Sequence, residues 1–346
     1  MSKSKFCVIG NFSRNNAFDG QTIKTLEIVD RLGEIYGKEN IRECNYREIK
    51  HSKLKLFKAF FNAFHKSEKI LVLANNTGVM NLIKVCTLIN KIFGRDIYFI
   101  LVGAALMDTV KEEPASLGIL KQLKHIIVET ETLKKDLLDC GLERVTVFPN
   151  FKKLRHFKTD ELSTEYEKPL KLIYMSRIMD LKGFSEMIRE LKRINEHSVK
   201  YVLDIYGKIE PEFKEEFEAL KKDFPEYIVY HGLADAWQTS EIMHECFLHL
   251  FPTKCPTEGQ PASIIDAFFA GLPTLSARWD YYADMLREGE TAVSFERCNF
   301  DEFREKLEYY YDHPEEIARM RVFCSKEAEK YLPETVMNDL VKVLES

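Results

Sequence analysis

The sequence predicts an α/β protein built from two consecutive doubly wound parallel-sheet units. Two observations lead there. Short apolar, β-branched runs recur along the chain and alternate with longer stretches of helical period, the pattern of parallel strands joined by crossover helices. The series is interrupted at "FPNFKKLRHFKTDELSTEYEKP", residues 148–169, and then restarts, so the same architecture is laid down twice.

In the first half the runs are "KFCVIG", "KILVLA", "DIYFILVG", "HIIVET" and "VTVFP", five predicted strands within the first 150 residues. In the second half they are "LKLIYM", "YVLDIYG", "YIVYHG", "CFLHLFP", "LPTLSA" and "TAVSF", six more between 170 and 295. From about residue 301 the strand signal stops, and the remainder reads as charged amphipathic helices. No fixed-period repeat or low-complexity tract is found beyond the duplicated architecture. At 346 residues the chain is long enough for two domains. The expected boundaries are 1–151 and 152–330, with a terminal helix at about 331–346 packing back on the first domain.

The composition excludes several classes. A net charge of -5 offers no general attraction to phosphate polymers, so nucleic acid is not expected as a partner. The eight cysteines are scattered with no Cys-x-x-Cys spacing, which argues against a zinc site or a disulfide framework and for a reducing, cytoplasmic setting. The longest apolar run, "YFILVGAALM", is about half of the ~20 residues that a membrane-spanning helix requires.

Ligands of open parallel sheets sit beyond the carboxyl ends of the strands, where helix N-termini present free amides. The residues just after each strand are therefore the candidates. "YMSRIMDLKGF" places Arg177 at a strand exit and Lys182 before Gly183 at a helix entrance, two cations suited to a diphosphate. "FPTKCPTEGQPASIIDAFFAGLP" follows the strand "CFLHLF" with a loop holding Glu258 and Gly259. A helix then opens at Pro261, with Ser263 in its first turn and Asp266 deeper along it. Acceptor-only carboxylates suit vicinal hydroxyls, so Glu258 and Asp266 are candidates for holding sugars. The apolar residues around Asp266 also require that its carboxylate have a partner. Backbone near Gly207 and in "YHGLAD" is expected to meet a nucleotide base. Arg278, Trp279 and Asp280 are candidates for a sugar pocket, with Trp279 equally a candidate for the core. In the first half, Asn75 and Asn76 leave a strand at its carboxyl end, where acceptor contact and helix capping are both open. His125 precedes its strand and is expected to be structural.

The segments "SRIMDLKG" and "PTEGQPASIIDAFFAGLP", in that order, resemble the nucleotide-sugar half of retaining glycosyltransferase family 4. "GNFSRNNAFDGQTIKTLEIVDRL", "YFILVGAALMD" and "VETETLKKDLLDCGLERVTVFPNF" look like a subgroup found in bacterial capsule and exopolysaccharide assembly. The resemblance covers nearly the whole chain. It implies the GT-B fold, two facing Rossmann-like domains with a donor and acceptor cleft between them. It implies that Arg177 and Lys182 neutralise a leaving diphosphate, that Glu258 contacts donor-sugar hydroxyls, and that Asp266, where the family pattern has its second Glu, holds the ribose. Gly20, Gln21 and Thr22 match the family loop lying against donor and acceptor, and Gly103 falls on the acceptor side. Two departures stand out. Relatives carry a histidine where this chain has Gly103 and Ala104, and a customary glycine is replaced by Ala292.

What the resemblance implies is same-face transfer of a hexose from a nucleoside diphosphate sugar, most often a uridine diphosphate sugar, to a glycan or polyprenyl-linked glycan in surface polysaccharide synthesis. No cofactor is expected beyond that co-substrate. No Asp-x-Asp triplet occurs, and metal dependence is not expected. A non-catalytic sugar-nucleotide-binding scaffold subunit and a sugar-nucleotide epimerase are the alternatives. The helix "HSKLKLFKAFFNAFHK", residues 51–66, sets Leu56, Phe57, Phe60, Phe61 and Phe64 on one stripe among lysines. That stripe fits either the domain core or peripheral docking on the inner face of a membrane.

Overall fold

The structure is a computed structural model that describes residues 3–12, 20–49, 52–75, 79–103 and 106–346. Asn76 and Ala104 lie outside the described residues, as does the side chain of Asn75. The chain divides into two compact units, residues 1–151 with 334–346, and residues 152–333.

The first unit runs β1 (Ser4–Gly10), α1 (Gly20–Tyr36), β2 (Ile41–Asn45), α2 (Tyr46–Ile49), α3 (Lys53–Lys66), β3 (Ser67–Asn75), α4 (Val79–Phe93) and β4 (Asp96–Val102). It continues with α5 (Leu106–Glu112), α6 (Ser116–Leu120), β5 (His125–Val128), α7 (Glu131–Asp139) and β6 (Val145–Val147). The six strands form one parallel sheet in the order β2-β1-β3-β4-β5-β6. β2, "IRECN", is a strand that the sequence pattern did not reveal. It is an edge strand in which Arg42, Glu43 and Asn45 are polar, so it lacks the continuous apolar run of a strand buried on both faces.

The second unit runs β7 (Leu170–Met175), α8 (Phe184–Ile194), β8 (Tyr201–Tyr206), α9 (Lys214–Lys222), β9 (Ile228–Tyr230), α10 (Thr239–His244) and β10 (Leu248–Phe251). There follow α11 (Ala262–Phe269), β11 (Thr274–Arg278), β12 (Ala292–Glu296), α12 (Phe300–Asp312) and α13 (Pro314–Glu327). Its sheet is also parallel, in the order β12-β11-β10-β7-β8-β9, and contains all six strands read from the sequence. The last helix, α14 (Pro333–Glu345), belongs to the first unit. There Val336, Met337, Leu340 and Leu344 join Ile28, Val29 and Leu32 of α1 over Phe6, Val8, Leu71 and Leu73 of the sheet.

α8 shows why these helices cover a sheet. Phe184, Met187, Ile188, Leu191 and Ile194 recur at the helical period and enter the core of the second unit. α11 is different, because Ile264 through Phe269 are all buried. A helix that is apolar on every side has no solvent face for Asp266.

The phenylalanine stripe of α3 is divided. Phe60 and Phe64 are fully buried, whereas Phe57 and Phe61 are exposed. His125 bonds Thr146 Oγ1 at 2.7 Å across β5 and β6, the structural position expected of it. All eight cysteines are free. Among the described residues no helix is long and apolar enough to cross a membrane.

His249 sits inside β10, its Nδ1 3.1 Å from Thr274 Oγ1 on β11, and burial holds its imidazole at about 3 against an ordinary 6.5. Because the folded value lies below the unfolded one, this contribution is whole above about pH 6.5. It is lost as pH falls toward 3, at about 1.4 kcal/mol per pH unit. His249→Gln keeps a polar partner for Thr274 and removes the titration. Its urea midpoint should therefore fall less steeply than the wild type's between pH 6 and 4, and parallel slopes would exclude His249 as a source of acid sensitivity.

Candidate functional site

In the second unit the chain order reverses between β7 and β10, neighbours in the sheet whose successors turn to opposite sides. A crevice opens beyond the carboxyl ends of strands at such a switch point. The loop after β7 carries Arg177 and Lys182, and the loop after β10 carries Glu258 and Gly259.

The two loops meet closely. Gly183 has φ 67°, and a Cβ there would lie 2.1 Å from the Pro252 carbonyl oxygen. Only glycine allows that backbone contact without displacement. Gly207, after β8, is equally constrained, since a Cβ would fall 1.8 Å from the Ser176 carbonyl oxygen. Its expected place beside a base thus coincides with a packing requirement.

Lys182 is buried and forms an ion pair with Glu258 Oε1. Thr253 Oγ1 donates to the same oxygen at 2.7 Å and accepts the Cys255 amide at 3.2 Å. The Lys182 ammonium also lies 5.1 Å from the centroid of the Phe251 ring. Lys182 and Glu258, expected in separate roles, are therefore direct partners across the crevice. Arg177 is exposed and 3.6 Å from Glu210, a loose pair that leaves its guanidinium available. The Arg177 carbonyl accepts the Tyr174 hydroxyl at 2.9 Å, which ties the loop to the strand beneath.

Beyond Glu258 the chain turns into α11, whose N-cap is Pro261 with no side-chain cap. Ser263, in its first turn, is half-buried. Asp266 departs from the open carboxylate expected for a ribose contact. It is 3% exposed, and its Oδ1 is 2.6 Å from the ammonium of Lys152, itself buried. Burial pushes the Asp266 carboxyl up, and Lys152 and Thr239 oppose that shift. The partner that its apolar setting demanded is thus Lys152, 114 residues earlier, which no local pattern could indicate.

The other end of α11 is fixed by Arg321, a buried guanidinium from α13. It donates to the carbonyls of His244 at 2.8 Å and of Ala270 and Cys246 at 3.4 Å. A cation on helix C-terminal carbonyls is answered by their dipoles. Trp279 is buried between Phe251 and Tyr282, so it belongs to the core. Arg278 is exposed and donates to Ser294 Oγ at 3.2 Å, and the Asp280 amide donates to the Pro256 carbonyl at 3.0 Å.

In the first unit the corresponding switch point lies between β1 and β3. Gly20 opens α1 there, and Asn75 ends β3. Gln21 and Thr22 are buried: Gln21 Nε2 donates to the Leu73 carbonyl at 3.3 Å, and Thr22 Oγ1 accepts from Asn11 at 2.5 Å. These side chains tie α1 to the sheet. Two residues that sequence reasoning missed lie nearby. Lys24 and Glu129 form a buried pair at 2.9 Å, and Glu129 Oε2 accepts the Gly103 amide at 3.1 Å. A glutamate directly after "HIIV" was the available signal. Among the described residues, one group with metal-ligand geometry occurs, His313, Glu315 and Glu316 at the start of α13, with Glu315 exposed and the other two half-buried.

The sequence profile of the family described as Glycosyl transferases group 1 matches residues 156–330, half of the chain. The chain belongs to this family. No curated protein matches the whole sequence significantly. Sucrose-phosphate synthase of Thermosynechococcus elongatus is similar in structure with a TM-score of 0.78 at 12% identity, covering 99% of this chain and 98% of that one. HepE of Anabaena, solved with UDP and glucose, gives 0.75 at 11% identity over 99% of both chains. The lipopolysaccharide outer core galactosyltransferase WaaB, in its apo form, gives 0.70 at 13% identity over 98% of this chain and 99% of its own. At such identities the likeness is one of fold, GT-B.

Asp266→Asn should cost about 3–5 kcal/mol, because it strands a buried ammonium. Adding Lys152→Met should recover most of that loss in urea unfolding. A neutral single variant would show that the pair is not held out of water.

Proposed function

We propose that this protein is a metal-independent retaining glycosyltransferase that moves a hexose from a uridine diphosphate sugar to a glycan or polyprenyl-linked glycan in surface polysaccharide synthesis. The observation that carries the reading is the buried Lys182–Glu258 pair at the β7/β10 crevice, beside the uncapped N-terminus of α11. One partner offers positive charge to diphosphate oxygens and the other accepts hydroxyls, the two halves of a nucleotide sugar. Family membership and the UDP and glucose bound by HepE support the same donor class.

In this reading Lys182, Arg177 and the amides of α11 stabilise the diphosphate as its bond to the anomeric carbon breaks, with Ser263 alongside. Fixed cations and dipoles of this kind are worth about 3–4 kcal/mol per well-placed group. Glu258 orients the sugar through its hydroxyls. Asp266, buried against Lys152, supports α11 from within rather than meeting the ligand. The acceptor oxygen bonds the anomeric carbon on the face the diphosphate leaves, and its proton passes to the departing phosphate oxygen. Gln21, Thr22, Asn75 and Gly103 border the acceptor side. A lipid-linked acceptor would bring the protein to the cytoplasmic surface of a membrane.

Nucleoside diphosphate release should be followed with a panel of sugar nucleotides in EDTA. Release from one donor is expected to persist and to fall about 10²–10³-fold in Glu258→Gln and Lys182→Ala, with the anomeric configuration retained by NMR. Inversion would overturn the retaining mechanism. Binding without release, with acceptor lipid extract present, would make the protein a sugar-nucleotide-binding scaffold.

A further inference from the structure

Helices α3 and α4 pack side by side in the first unit, with the Phe61 and Phe93 rings 4.9 Å apart. Their inner residues are committed to the core: Phe60, Ala63 and Phe64 on α3, and Ile83 and Cys86 on α4 are buried. Their outer faces remain strongly apolar. Leu54, Phe57 and Phe61 form a three- and four-residue stripe along α3, and Leu88 and Ile92 form the next stripe on α4. Leu54 is 79% and Ile92 69% exposed. These five side chains stand exposed on two helices that pack together, and exposed apolar side chains gathered on neighbouring elements are a mark of an interaction surface.

The charge around the patch selects the partner. α3 and α4 carry six lysines between them and no aspartate or glutamate, in a chain whose net charge is -5. Lys84 is committed to Glu113, at 3.0 Å. Lys55, Lys58 and Lys91 have no carboxylate within ion-pair distance among the described residues, and they stand on the same two helices as the apolar stripes. A second copy of this chain would fit poorly, since a two-fold interface would set lysines against lysines. Exposed leucine, isoleucine and phenylalanine flanked by long cationic side chains suit the boundary of a bilayer, where the rings enter the acyl region and the ammonium groups reach headgroup phosphates.

We propose that the outer face of α3 and α4 docks on anionic lipid bilayers. The proposal deepens the lipid-linked acceptor reading above, while leaving the donor chemistry independent of it. Phe60 is core, so its substitution would test folding rather than docking.

The full chain should be floated, without nucleotide, on vesicles of phosphatidylcholine alone and of phosphatidylcholine with about 30% phosphatidylglycerol. Co-flotation is expected on the anionic vesicles only, and it should weaken at about 0.5 M salt. The Phe57→Asp, Ile92→Asp double variant and the Lys55→Glu, Lys58→Glu, Lys91→Glu triple variant should each bind at least tenfold more weakly. Circular dichroism and nucleoside diphosphate release measured without vesicles should stay at wild-type levels in both. Absence of wild-type flotation, equal flotation on neutral vesicles, or unchanged flotation of the variants would each overturn the proposal. So would a wild-type dimer that Phe57→Asp, Ile92→Asp dissociates without any vesicle binding, which would assign the face to a second copy. Loss of donor turnover with flotation intact would instead count against the enzymatic reading alone.

Discussion

Lys182 is an ammonium held out of water, and the carboxyl edge of the second sheet is organised around answering it. Its counter-charge arrives from the loop after β10, so β7 and β10 must be neighbours. Its loop must also approach Pro252 closely, which fixes glycine at 183. Thr253 then donates to the same Glu258 oxygen that meets the lysine and holds it in place. If the carboxylate were lost, a buried charge would stand alone at a cost of about 3–5 kcal/mol, so the two loops stay together.

The sequence made the second unit legible because its strands are buried on both faces and appear as unbroken apolar runs. β2 escaped notice because Arg42 and Glu43 give it the look of a surface segment. At the site, residue types and position after a strand were enough to single out Lys182, Glu258 and Asp266. Their partners were not legible, because an ion pair spans 76 residues for Lys182 and Glu258 and 114 for Lys152 and Asp266. Periodicity reports which face of an element is buried, and it does not report what meets that face. For the same reason α3 could not be divided into a core side and an outer side until Phe60 was seen buried and Leu54 exposed.

The two units treat their carboxyl edges differently. In the first, Gln21, Thr22, Lys24 and Glu129 are turned into the protein, and the Gly103 amide is anchored on Glu129. That edge gains rigidity from its polar groups. In the second, Arg177 remains exposed and α11 keeps an uncapped start while Arg321 secures its other end. Rigid backing and a free front are what a site needs if it is to meet a ligand with little reorganisation.

On the proposed function, the pairing of Lys182 with Glu258 also filters what can enter. A small inorganic anion could draw the ammonium away only by leaving the carboxylate deserted, an exchange with little net gain. A molecule that carries oxyanions at one end and hydroxyls at the other gives each partner a replacement at once. On the proposed function, the crevice is closed to phosphate and open to phosphate joined to sugar, like a lock that turns only when two keys are inserted together.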